Sequence, residues 1–222
     1  VLQPHDLPGV SNEEEEIQRA VRNPIQSKRL REIAKQGDKV TIVTSDITRR
    51  CPDNKIVPIV LKELGLAGVR EQDITIVVAL GTHRKMQRNE LIKKLGKHVC
   101  KRIKVLNHDY QDKKNLRYLG RTKTLRTPVW INRAVVEADV KITTGVVEFH
   151  TFAGYSGGRK SISPGVSGRE TILPTHAAKV IDQPNVGVGM IKVNPIHEDM
   201  IEAAQLVGVD FIVNVVLNSK NE

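Results

Sequence analysis

Short apolar runs rich in β-branched residues punctuate the chain: Val40–Thr44 (VTIVT), Ile74–Leu80 (ITIVVAL), Ile103–Leu106, Pro128–Ile131 and Val140–Thr144. Most do not alternate apolar with polar positions, which is the pattern of strands buried on both faces, as in a parallel sheet. Helical stretches fall between them. Ile56–Gly65 (IVPIVLKELG) separates the first two runs and Arg88–Gly96 (RNELIKKLG) the next two, and both close on glycine, as helix C-termini commonly do. Strand alternating with helix predicts an α/β fold, a mostly parallel sheet flanked by helices in a Rossmann-like arrangement. Upstream, a helix is expected over 11–22, with Ser11 as N-cap and Glu14 completing a capping box, and another over Lys28–Gln36, capped by Ser27 and stopped at Gly37. Downstream, a helix is expected within Ser167–Ile181, another over Glu198–Val207, and a final apolar strand over Val209–Leu217. No internal repeat or low-complexity linker interrupts the pattern.

The 222 residues, 39% of them hydrophobic, suffice for one large domain with a real core. No apolar run reaches the roughly 18 residues of a membrane span. Val1 to Pro8 lacks the basic and apolar regions of a signal peptide. Two cysteines, Cys51 and Cys100, make no disulfide framework and fit a reducing compartment, so a cytoplasmic protein without membrane association is expected. The chain opens on Val1 and stops five residues after its last strand run. Residues 1–222 are therefore expected to be the N-terminal catalytic and cofactor-binding domain of a longer, two-domain protein.

The formal net charge of +10 suggests an anionic partner. Aromatic residues make up only 3% and form no stacking pattern, and the basic residues, Lys93, Lys94, Lys101 and Arg102 among them, are dispersed like solvated helix faces. Nucleic acid is not expected as a partner, while a bound anionic cofactor would suit the same field.

In open parallel sheets, ligands bind beyond the carboxyl ends of the strands. The first run is followed by Asp46-Ile47-Thr48-Arg49, the second by Gly81-Thr82-His83-Arg84, and Val140–Thr144 by Gly145-Val146-Val147-Glu148-Phe149-His150. An Asp/Arg pair and two histidines are thus delivered to one edge. Beyond them lies a glycine-rich loop, Gly154-Tyr155-Ser156-Gly157-Gly158-Arg159-Lys160-Ser161. It approaches the P-loop pattern but carries Arg159 where the second glycine belongs, and a side chain there would obstruct closure over phosphates. The spacing of His83, His150 and His176 matches no compact zinc motif. His176, taken alone, reads as structural, His98 and His108 as surface residues, and Cys51 as a packed thiol.

These segments, in this order, together with Pro164-Gly165, resemble the nickel-dependent lactate racemase family over nearly the whole chain. The stretch from His150 to Lys160, HTFAGYSGGRK, is the most specific part. The resemblance implies a nickel-pincer cofactor, a pyridinium mononucleotide bearing two sulfur-containing arms. It implies that Lys160 is linked covalently to this cofactor, that His176 ligates nickel, that His83 and His150 are the acid/base pair, and that Asp46, Ile47, Thr48 and Arg49 form the loop holding the cofactor. Arg50 stands where family members often carry proline. Further implications are a small 2-hydroxy acid as substrate, lactate first, and dependence on cofactor-making enzymes. Hydride removal at C2 gives a neutral ketone, whereas proton removal would place a second charge beside the carboxylate; one histidine on each face would then exchange the hydroxyl proton. Family members are about twice this long, with a second domain closing over the site, so the 222 residues alone are expected to be inactive. The competing expectation is a non-catalytic phosphate- or nucleic-acid-binding module built on the glycine-rich loop.

Overall fold

The computed structural model describes residues 7–220. His5 and most of the Val1–Pro8 stretch lie outside the described residues. The strands are β1 (Val40–Ser45), β2 (Ile74–Ala79), β3 (Lys104–Asn107), β4 (Leu116–Arg121), β5 (Pro128–Asn132), β6 (Val140–Val146), β7 (Phe149–His150), β8 (Gly154–Tyr155) and β9 (Phe211–Val215). The helices are α1 (Glu13–Arg22), α2 (Leu30–Ile33), α3 (Asp53–Leu66), α4 (Arg88–Leu95), α5 (Lys97–Arg102), α6 (Arg133–Val136), α7 (Arg159–Ile162), α8 (Arg169–Thr175), α9 (Ala178–Ile181) and α10 (Pro195–Val207).

A five-stranded sheet in the order β3-β2-β1-β6-β9 forms the centre, and every pairing in it is parallel. The expected α/β architecture is therefore present. Adjacent strand residues face opposite cores. Ile42, Ile76 and Ile142 pack with Ile56, Val60 and Leu64 of α3 on one side, and Val43 and Val77 pack with Val129, Ile131, Ile162 and Ala203 on the other. Burying such side chains contributes about 1.5–3 kcal/mol each, so both faces of a strand must be apolar and alternation disappears. Chain order reverses between β1 and β6, which opens a crevice at their carboxyl ends.

Several elements differ from expectation. The Pro128–Ile131 run is not in the central sheet: β5 pairs antiparallel with β4, and only its inward residues Val129 and Ile131 are fully buried. That hairpin covers the second face of the sheet, and the mixed composition of β4 (LRYLGR) conceals it in the sequence. The helix at the start is capped by Asn12, not Ser11, because the Asn12 carboxamide accepts from the amides of Glu14 and Glu15 at 3.1 and 3.2 Å. The Lys28–Gln36 segment contains only the single turn α2, and Ser27 caps nothing, its hydroxyl donating to the Lys28 carbonyl instead. Ser167–Ile181 splits into α8 and α9, because Ala177 between them takes an extended backbone (φ −72°, ψ 135°).

Two polar residues read as exposed are buried. His108 is 1% exposed, with Nε2 bonded to the Ser167 carbonyl and Nδ1 near the Asn132 amide. Lys94 is 7% exposed, because its ammonium turns inward to a carboxylate and two carbonyls. Among the described residues, no helix is long and apolar enough to cross a membrane.

Candidate active site

A cavity of about 370 Å³ opens at the carboxyl ends of β1, β2 and β6. Its wall includes Asp46, Arg49, His83, His150, Lys160 and His176. Side chains spread over 130 positions of sequence thus meet because three parallel strands end at one edge and the segment after β6 folds back over it. Ile47 and Thr48 are not in the wall: Ile47 is exposed, and Thr48 serves Asp46.

Asp46 follows β1 directly and is buried. Its Oδ1 accepts from the Thr48 amide at 3.2 Å and from the Thr48 hydroxyl at 2.6 Å, and its Oδ2 lies 2.7 Å from His83 Nδ1. A carboxylate only accepts, so Nδ1 of His83 carries the proton and Nε2 keeps a free lone pair. The aspartate fixes the tautomer of a ring whose side chain is 51% exposed at the cavity.

His150 has the opposite tautomer. Its Nδ1 accepts from the amides of Phe152 and Ala153 at 3.3 and 3.2 Å, so a neutral ring carries its proton on Nε2. Burial, then the positive charges of Lys160, Arg49, His176 and Arg159, push its pKa down to about 4. The ring packs edge-on against Phe152, with centroids 5.1 Å apart, and Phe152 meets the His176 ring in the same way at 5.8 Å.

His176 ends α8. Its Nδ1 lies 2.9 Å from the Ile172 carbonyl and 3.1 Å from the Thr175 hydroxyl. A carbonyl requires a donor, so Nδ1 is protonated and Nε2 is left bare, the arrangement usual for a metal-ligating histidine. Among the described residues, no group of three or more His, Cys, Asp or Glu is placed to hold a metal. A metal at His176 would therefore need donors beyond the His, Cys, Asp and Glu side chains of the described residues.

Lys160 lies in α7. Burial, then Arg49 and Arg159, lower its pKa to about 7 against a smaller opposing pull from Glu148. Its ammonium has no carboxylate within ion-pair distance among the described residues. An amine that is half neutral near physiological pH is a nucleophile, not just a point charge.

The glycine-rich loop is not a P-loop. Arg159 turns back and donates to the carbonyls of Ala153 and Tyr155 at 2.8 and 3.0 Å, fastening the loop to itself. Gly157, at φ +82°, lies where a Cβ would press on Val147 and Asn214. Two contributors escaped sequence reasoning. Glu148 pairs with Arg49 at 2.7 Å, and Asp53 with Lys94 at 3.1 Å; neither pair has a sequence signature, since the partners come from different elements. Cys51 is buried beside Asp53, and burial pushes its thiol well above the ordinary range, as befits a packed thiol.

The family model describing the lactate racemase N-terminal domain matches residues 1–189. The lactate racemase of Thermoanaerobacterium thermosaccharolyticum is 36% identical over 211 residues, covering 95% of this chain and 49% of that protein. The lactate racemase of Lactiplantibacillus plantarum is 35% identical over 207 residues, covering 93% and 48%. The chain spans about half the length of these relatives. Among solved structures, the lactate racemase apoprotein from T. thermosaccharolyticum superposes with a TM-score of 0.87 at 37% identity, covering 94% of this chain and 49% of that one. A Thermotoga maritima protein gives a TM-score of 0.79 at 25% identity, covering 97% and 54%.

Proposed function

The chain belongs to the lactate racemase family through its N-terminal domain, and on that premise we propose that it is the cofactor-holding part of a 2-hydroxy acid racemase, lactate being the leading substrate. One observation carries the proposal: His83, His150, Lys160 and His176, from four separate segments, line a single cavity, with His150 in the opposite tautomer to His83 and His176.

The residues present fit a nickel-pincer nucleotide. Lys160 offers an amine of lowered pKa for an acyl carbon, His176 a bare Nε2 for nickel, and Arg49 a positive charge in the cavity wall for a phosphate. When bound, the group supplies an electron-poor carbon that accepts a hydride from C2.

Within the chain, His83 takes the substrate hydroxyl proton on Nε2, while Asp46 steadies the imidazolium that forms. His150 serves the other face. Its low pKa belongs to the protein before cofactor attachment: an amide at Lys160, formed with loss of an amine proton and of the leaving group on the acyl carbon, would remove one of the charges that depress it, and a phosphate would offset others. Loading the site would thus relieve part of the depression, while burial, its largest cause, persists. The 222 residues alone hold the cofactor but do not turn over, because hydride chemistry needs water excluded and the relatives are about twice as long. The inward turn of Arg159 disfavours a phosphate- or nucleic-acid-binding module.

The test is mass spectrometry. Produced without cofactor-making enzymes, the protein should have its plain sequence mass and no nickel. Produced with them, it should gain a mononucleotide-sized adduct on Lys160 and a nickel-dependent visible absorption. Lys160→Ala should lose the adduct; His176→Ala should keep it and hold nickel poorly. Lys160 unmodified in an active, nickel-containing sample of the full-length protein would overturn the proposal.

A further inference from the structure

The loop between β1 and α3, residues 46–52, delivers both Asp46 and Arg49 to the cavity, yet it contains no regular secondary structure. Something outside the cavity must hold it. The Lys94 ammonium, reaching from α4, donates to the carbonyl of Arg49 at 2.8 Å and to that of Cys51 at 2.9 Å, and pairs with Asp53 at 3.1 Å. Asp53, fully buried at the start of α3, in turn accepts from the Thr144 hydroxyl of β6, and its other oxygen meets the Ser45 hydroxyl of β1 at 3.5 Å. The ion pair therefore ties the ends of β1 and β6, the two strands flanking the crevice, to the loop lying over them.

From this geometry we infer that Lys94 is a positioning residue: by clamping the Arg49 and Cys51 carbonyls against Asp53, it sets where Asp46 and Arg49 stand in the cavity. A buried pair is weak evidence for stability, since apolar replacements of similar shape often fold as well. A demand for loop geometry explains why an ammonium occupies this place: two carbonyls and a carboxylate need three donors from one point, and Lys supplies them. The inference rests on the proposed roles of Asp46 and Arg49, but its first test does not.

That test is limited trypsin digestion of the protein without cofactor, following cleavage after Arg49 and Arg50. The paired variant Lys94→Met with Asp53→Asn removes both charges and the donor while keeping side-chain volume. It should melt near the wild-type temperature, yet be cut in the loop at least about tenfold faster. In the active enzyme the same variant should lose kcat/KM on the order of a hundredfold, the scale of a small misplacement of catalytic groups. Wild-type cleavage rates in a variant that melts normally would overturn the clamp. Fast cleavage with unchanged kcat/KM would leave the clamp and overturn the roles given to Asp46 and Arg49. Should the paired variant not fold, native-state hydrogen exchange of the wild type decides. The Arg49 amide, bonded to the Asp46 carbonyl at 3.2 Å, should be as protected as the amides of α4, and rapid exchange there would overturn the inference.

Discussion

Asp46 and His83 stand 37 residues apart in the chain and 2.7 Å apart in the fold, and the contact determines which nitrogen of the histidine is free to act. Asp46→Asn tests this. The amide keeps the shape and can still accept from Thr48, but its NH₂ would face Nδ1 of His83 and drive the proton to Nε2. In the full-length protein, racemisation should fall about 10²–10⁴-fold, the scale of losing a correctly poised base, with little change in melting temperature. An unchanged rate would deny His83 its role as base.

If each ring serves one face of the substrate as proposed, His83→Ala and His150→Ala in the full-length protein should each abolish racemisation. The loss should be at least about 10²–10⁴-fold. Circular dichroism should be unchanged, and the melting point of His83→Ala should move little, since that ring is half exposed. A purely structural histidine would do the reverse, lowering stability and sparing turnover.

Lys160→Met should stabilise the cofactor-free protein in a pH-dependent way. The amine's pKa falls from 10.5 to about 7 on folding, so the unfolded chain binds its proton more tightly. The penalty is complete below about pH 7 and fades as pH rises toward 10.5. The variant should therefore melt higher near pH 6 by about 2–4 °C, the equivalent of about 1 kcal/mol after solvent screening, with the gap closing in alkali. Nuclear magnetic resonance of the same variant should find the His150 pKa raised above about 4, because one of the charges opposing its protonation is gone.

Gly154→Ala should destabilise the hairpin that carries His150. Gly154 has φ +75°, and a Cβ there would run into the Met190 carbonyl. Strain and overlap together should cost about 2–4 kcal/mol, visible in chemical denaturation. A neutral effect would mean that the segment around Met190 yields easily.

Apolar patterning along the chain is enough to dictate the parallel sheet and the edge at which chemistry gathers. β1, β2 and β6 must bury both faces, and that requirement is written as continuous apolar runs; the residues just after each run then have to lie at the carboxyl edge. Asp46, His83 and His150 were legible for that reason, and Lys160 and His176 through the resemblance carried by the glycine-rich stretch. The β4–β5 hairpin was not, because its burial depends on which face of the sheet it covers. Nor could the sequence reveal that Thr48 and Ile47 stay out of the cavity wall, that His108 is buried, or that Lys94 turns inward. Tautomers, pKa shifts and ion pairs such as Asp46–His83 and Lys94–Asp53 depend on distances of a few ångströms between side chains from different elements. No local pattern encodes those distances; they are set only by how the strands order themselves and where the loops between them are tied.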